Sequence, residues 1–191
     1  MDPLLTKKHE EFRQEVRDFA EKEIKPVAAA LDEAAEFSPE LIGKMFDAGY
    51  LRLVTPEVYG GMGMDTLSYI VAVEEIARID GSQAATVAAQ NSLAQGPLLA
   101  YGTEEQKKKF LPMLTTGKKL WAFGLTEPNA GSDSNNTETT AELKDGQWVI
   151  NGKKIYITNA ASEMSGGVTV QAVTGDRGRG MKELSVILVP R

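Results

Sequence analysis

Phe123-Gly-Leu-Thr-Glu-Pro-Asn-Ala-Gly-Ser-Asp133 and, downstream, Lys154-Ile-Tyr-Ile-Thr-Asn159 decide how this 191-residue chain is read. In the first segment an apolar strand over residues 121–125 ends at Thr126, and a turn over 127–133 follows. Pro128 fixes one backbone angle and Gly131 permits close backbone approach. Such a turn can present amides and the Ser132 hydroxyl to an anion. The same residues also suit an ordinary loop held by its own serine and aspartate, so the segment alone leaves ligand binding and plain loop structure both open.

Working outward, residues after 120 read as strands. Gln147-Trp-Val-Ile150, Asn151-Gly152 and residues 153–158 form a predicted hairpin, because Asn-Gly readily takes the positive φ angles of a type I′ turn. Residues 168–173 and 184–189 are two further predicted strands. The polar loop Gly175-Asp-Arg-Gly-Arg-Gly180 joins them, and its Arg177 and Arg179 either meet a phosphate or stand in solvent.

Residues up to 119 read as helices. Phe12, Val16, Phe19, Ala20, Ile24, Val27 and Leu31 recur at mostly three- and four-residue steps, so they share one face. Pro26 is expected to kink or restart that helix. Ser38-Pro39-Glu40 predicts an N-cap with proline in the first turn, and Gly49 predicts the stop. Residues 56–65 are a glycine-dense connector; Gly61-x-Gly63 lacks the strand and the third glycine of a dinucleotide fingerprint. The helix over 66–79 carries Leu67, Ile70, Val71, Val73 and Ile76 and is expected to be buried on more than one side. Ser82 opens a helix rich in small residues, suited equally to tight packing or to ligand approach. Thr103-Glu-Glu-Gln106 predicts a capping box. Helices followed by strands give an α+β chain with helices and sheet largely segregated: a helical domain over 1–119, then a β domain over 120–191.

Composition narrows function. Acidic residues number 27 against 21 basic, a net charge of −6, which argues against the concentrated basic face of a nucleic-acid binder. Lys107-Lys108-Lys109 reads as a solvated helix face. Without cysteine, disulfides, thiolate metal sites and cysteine nucleophiles are excluded. The single histidine, His9, cannot build a histidine-rich zinc site and is expected at the surface. The start of the chain has neither signal-peptide nor transit-peptide character, and no apolar run approaches the roughly 18 residues of a spanning helix. A reduced compartment is expected, cytoplasmic or, in a eukaryote, the mitochondrial matrix.

The two opening segments together resemble the flavin-contacting strands of the acyl-CoA dehydrogenase family. Leu125-Thr-Glu-Pro-x-Ala-Gly-Ser-Asp133 is followed by Asn151-Gly-x-Lys-x-x-Ile-Thr-Asn159 at the family's spacing. Tyr59-Gly60-Gly61, Tyr101-Gly-Thr-Glu-Glu-Gln-Lys107 and Phe110-Leu-Pro112 add further matches, so the resemblance covers essentially the whole chain. It implies an FAD enzyme that removes two hydrogens from the α and β carbons of an acyl-CoA thioester, giving the trans-2-enoyl-CoA. Phe123, Leu125 and Thr126 are then expected to line the flavin ring, with backbone amides and the Thr126 hydroxyl at its pyrimidine edge. Gly131 and Ser132 are expected near the FAD pyrophosphate, Ser132 also near the acyl-CoA. Tyr156, Ile157 and Thr158 are expected to flank the ring, Thr158 offering a hydrogen bond near flavin N5. Tyr156 stands where many members have tryptophan.

The resemblance also implies that the β domain is antiparallel and incomplete, continuing past Arg191, and that a glutamate base lies in a C-terminal helical domain beyond it, so no catalytic residue is assigned here and the chain alone is expected to be inactive. It further implies an electron-transfer flavoprotein as acceptor and a homotetramer or dimer for the full-length protein. The first pattern is closest to short-chain, butyryl-CoA-type members. The alternatives are a non-catalytic assembly module of the same fold, or an acyl-CoA oxidase or flavin monooxygenase on the same scaffold.

Overall fold

A computed structural model describes residues 4–178 and 180–191; Arg179, weighed above as a phosphate contact, lies outside the described residues. The chain divides into two compact units, one running to residue 120 and the other from 121 to 191.

Local capping chemistry builds the helical unit. Helix α1 (Lys7–Phe19) starts on a capping box in which Thr6 accepts from the His9 N–H and donates its own N–H to the His9 ring. Phe12 and Val16 are buried on its inner face. The helix then widens into a π turn over Ala20–Ile24 just ahead of Pro26, and α2 (Lys25–Ala34) follows with that proline in its first turn. Proline has no N–H to return to the preceding turn, so the wider turn is a local remedy. The apolar stripe does not continue inward: α2 has no buried residue, and Val27 is exposed.

Helix α3 (Pro39–Asp47) is capped by Ser38, whose Oγ accepts from the Leu41 N–H at 3.2 Å. It buries Leu41, Ile42, Met45 and Phe46, and Gly49 takes φ +86° just past its end. Helix α4 (Thr66–Ala77) is capped by Asp65 and packs on α1. Only one face of α4 is buried within the unit: Ser68, Val71, Ala72, Glu75 and Ile76 lie inside, whereas Leu67 and Ile70 are exposed, contrary to the expectation from composition. Helix α5 (Gly81–Ala89) is capped by Asp80 rather than opened by Ser82, and a second π turn covers Gln90–Ala94. Helices α6 (Gly96–Tyr101) and α7 (Glu104–Leu114) complete the unit, α7 on the predicted Thr103/Gln106 box.

Two polar networks tie these helices. Glu75, 2% exposed, takes paired hydrogen bonds from Arg17 at 2.9 Å and another from Arg78 at 3.1 Å. The Arg17 hydrogen bond, more than offsetting burial, holds its carboxyl below the usual range. Asn91 accepts from the Leu53 N–H at 2.7 Å and donates to the carbonyls of Tyr50 and Val87, while Gln95 donates to Leu51. Buried amides thereby satisfy the irregular stretch after α3, which no helix or sheet supplies with partners.

The second unit carries β1 (Leu120–Gly124), β2 (Thr140–Lys144), β3 (Gln147–Asn151), β4 (Ser165–Asp176) and β5 (Lys182–Pro190). β5 runs antiparallel along β4, the other neighbours of β4 are β1 and β2, and β3 pairs with β2. The sheet is mixed rather than purely antiparallel, because β2 meets β4 in parallel at Thr140 opposite Val173.

The hairpin is displaced from its predicted place. β2 and β3 pair around Asp145-Gly146, with φ +50° and +78°, and residues 153–158 form no strand. Asn151 instead ends β3. Gly152 does not take positive φ; a side chain there would collide with Thr139, its Cβ 2.6 Å from the Thr139 Cβ. Gly152 is required for close approach, not for a turn.

Candidate functional site

Site geometry begins with β1. Trp121 is buried and its indole N–H donates to the Thr169 hydroxyl of β4 at 2.9 Å. A Cβ at Gly124 would come within 3.4 Å of Val168, so the glycine lets the end of β1 lie close on β4. Beyond it, Glu127 and Ala130 exchange backbone hydrogen bonds at 3.0 and 3.2 Å, closing a tight turn that exposes Pro128 and Asn129.

The Glu127 side chain fastens that turn from beneath. It is 3% exposed and accepts from the N–H groups of Glu138 at 2.7 Å and Thr139 at 3.1 Å, and from Lys154 Nζ at 2.6 Å. Burial alone would raise its pKa and is the largest single influence. Lys154 and the Thr139 and Glu138 donors together overcome it and bring the pKa down to about 2. Lys154 Nζ also donates to the Leu125 carbonyl at 3.0 Å, and the Ile155 N–H donates to the Thr126 carbonyl at 2.9 Å. Segments 123–133 and 154–159 are therefore side by side.

Phe123, Leu125 and Thr126 are half-buried where β1 leaves the sheet. Gly131 and Ser132 stand exposed in the turn. A Cβ at Gly131 would meet nothing within 4 Å, and its φ is not positive, so neither packing nor backbone angle in this chain demands glycine there. Tyr156 is 90% exposed at φ +57°, a left-handed conformation uncommon for an aromatic residue. Ile157 is half-buried and Thr158 exposed. Asn159, at φ +69°, has a buried side-chain nitrogen without a partner. Half-buried apolar side chains, an exposed aromatic, exposed hydroxyls and open space at Gly131 fit a flat heteroaromatic ring with a phosphate tail. Lys154 was missed by the sequence reading as a site residue, although it stands inside the quoted motif; nothing in the string marks its partner 27 residues upstream.

No cluster of three or more metal-ligating side chains occurs among the described residues. No helix among them is long and apolar enough to cross a membrane. His9 is buried rather than at the surface, 7% exposed, with Nε2 3.0 Å from Asp65. Asp65 is held at a pKa of about 2 by the Ser68 backbone N–H and then by His9. That pair joins the start of α1 to the start of α4 and so has a structural task.

Comparison with known proteins identifies the family. The family model described as acyl-CoA dehydrogenase, N-terminal domain, matches residues 6–118, and that described as acyl-CoA dehydrogenase, middle domain, matches 122–191. A short-chain specific acyl-CoA dehydrogenase of Clostridium acetobutylicum is 43% identical over 191 residues, 100% of this chain and 50% of the relative. The structure of butyryl-CoA dehydrogenase from Megasphaera elsdenii superposes with TM-score 0.90 at 39% identity, covering 100% of this chain and 50% of that one. An acyl-CoA dehydrogenase complexed with FAD from Bacillus anthracis gives TM-score 0.88 at 34% identity, over 100% and 32% of the respective chains. This chain thus spans about half the length of the curated relative it matches. With both family models accounting for nearly all of its residues, the chain belongs to the acyl-CoA dehydrogenase family.

Proposed function

We propose that the chain supplies the flavin-facing part of an enzyme that converts an acyl-CoA thioester to its trans-2-enoyl-CoA. The observation carrying this reading is the Ile155-to-Thr126 hydrogen bond, which sets the two motif segments together. FAD, when bound, accepts the hydride that leaves the β carbon. Phe123, Leu125 and Ile157 offer apolar surface to its ring, and the Thr126 backbone and hydroxyl face its pyrimidine edge. Gly131 leaves room at the pyrophosphate and Ser132 contributes a hydroxyl there and toward the acyl-CoA. Tyr156 covers the ring, and Thr158 donates near N5, where a fixed donor stabilises incoming charge.

No carboxylate of this chain is assigned as the base. Glu127, inside the first motif, has its oxygens taken by Lys154 and two backbone N–H groups. A carboxylate so held is a poor proton acceptor. The similarity to short-chain members supports a short acyl substrate, and the resemblance supports an electron-transfer flavoprotein as acceptor. Exposed Leu67 and Ile70 on α4 favour association with further polypeptide, in keeping with a homotetramer or dimer.

Two measurements test this reading. Titrating FAD into the chain is expected to quench flavin fluorescence and shift its visible bands. The enzyme containing this chain is expected to oxidise saturated acyl-CoAs, best at short acyl length, without consuming oxygen. Turnover of no saturated acyl-CoA refutes the dehydrogenase reading; oxygen consumption during substrate oxidation moves it to an oxidase.

A further inference from the structure

The ion pair beneath the turn does more than close it. Lys154 Nζ divides its hydrogens between Glu127 Oε1 at 2.6 Å and the Leu125 carbonyl oxygen at 3.0 Å. That carbonyl and the N–H of Thr126 belong to one peptide unit. The chain has no cis peptide among its described residues, and in a trans unit the C=O and N–H point in opposite directions. Fastening the oxygen to Lys154 therefore turns the Thr126 N–H away from Lys154. Among the described residues no hydrogen bond from the Thr126 N–H to another group of the chain is found. The neighbouring peptide is fixed as well, its Thr126 oxygen on the Ile155 N–H and its Glu127 N–H on Ala130. One donor in this corner is thus aimed and left unpaired, while the carbonyl of its own peptide and both polar groups of the next are committed.

We propose that Glu127 and Lys154 are positioning residues for the flavin: Lys154 holds the Leu125–Thr126 peptide so that the Thr126 N–H is presented to an acceptor atom of the ring's pyrimidine edge. Glu127 makes this possible by neutralising an ammonium that is itself largely buried, 12% exposed at the side chain. The pair is neutral as a whole, so it orients a dipole without adding net charge beside the ring. Preorganised backbone donors of this kind need no reorganisation when the ligand arrives. The inference rests on the flavin reading given above, and its geometric part stands on the chain alone.

The test separates positioning from plain stability. Lys154→Met removes the donor but strands Glu127, and the variant can unfold for that reason. The double variant Glu127→Gln/Lys154→Met removes both buried charges together, which is much less disruptive than removing one. In each, FAD affinity is measured by fluorescence titration, thermal stability by tryptophan emission, and the Thr126 and Ile155 amides by nitrogen-15 NMR and hydrogen exchange. The double variant is expected to regain stability over Lys154→Met yet bind FAD about tenfold more weakly than the parent chain, the loss of one well-aimed hydrogen bond. Its Thr126 amide signal is expected to shift and its Ile155 amide to exchange faster, with β4 and β5 amides unchanged. Wild-type FAD affinity in the double variant, or unmoved Thr126 and Ile155 amides, overturns the proposal. If the parent chain binds no FAD, the flavin reading fails, and the two amides by themselves decide whether the pair positions this peptide.

Discussion

Glu127 shows at the scale of one residue how a site is made rigid by chemistry that takes no part in the reaction. Its carboxyl lies at about 2 in the folded chain against an ordinary 4.5. A folded pKa below the unfolded one stabilises the fold above pH 4.5, and the contribution fades as pH falls from 4.5 towards 2. Glu127→Gln is accordingly expected to cost about 3 kcal/mol at neutral pH, since it leaves Lys154 buried without a counter-charge. The gap between the two proteins should narrow through that acid window. Urea titrations followed by tryptophan emission at several pH values measure it, and a gap constant from neutrality to pH 2.5 refutes the linkage. His9 is a complementary case, buried although its surroundings in sequence are polar. Its neighbours Lys7, Lys8, Glu10 and Glu11 are charged, which suggested solvent. The helix turns that one position inward towards Asp65, a partner 56 residues away that no local pattern announces.

Elements are held by caps and by a few buried charges, and these were unequally legible. Ser38, Thr103 and Gly49 act within three residues of themselves, so their signals are complete in the local string. The hairpin was misplaced because Asp145-Gly146 and Asn151-Gly152 offer the same local chemistry, and only the pairing of β2 with β3 chooses between them. Substitution distinguishes their roles. Gly146→Ala is expected to cost about 1 kcal/mol, the strain of a Cβ in the left-handed region. Gly152→Ala is expected to cost more, roughly 2–3 kcal/mol, because the new methyl overlaps Thr139 and the backbone has to give. The reverse order in urea denaturation places the turn at Asn151-Gly152 after all. In the helical unit, Glu75→Gln leaves Arg17 and Arg78, 43% and 44% exposed, without their shared carboxylate; because both can turn to water, the expected loss in the packing of α1 on α4 is roughly 1–2 kcal/mol. Far-ultraviolet circular dichroism follows that loss. A cost under 1 kcal/mol makes the network incidental.

For the whole chain, the helix-then-strand order was readable because each period is local, whereas the mixed sheet was not. The parallel contact of Thr140 with Val173 joins residues 33 apart through an intervening hairpin and loop, and nothing in either strand specifies its partner's direction. The candidate site sits between these cases. Its segments were visible as strings, their adjacency became visible only through Ile155 and Lys154, and the ligand comes from the family resemblance, with which the half-buried and exposed residues are compatible. Both tryptophans, Trp121 and Trp148, belong to the second unit, so tryptophan emission reports that unit separately from the helices. If the flavin contacts lie there, FAD at 100 times its Kd adds roughly 2.7 kcal/mol to the stability of the folded unit by mass action. For a unit of this size that corresponds to a rise of roughly 10–20 °C in the tryptophan-detected melting temperature. Adenosine diphosphate at the same concentration, which lacks the isoalloxazine, is expected to raise it far less, because the Phe123, Leu125, Tyr156 and Ile157 surface gains no partner. Equal shifts with both ligands place the binding energy in the phosphates and reject a ring-binding wall; no shift with saturating FAD rejects the flavin site in this unit.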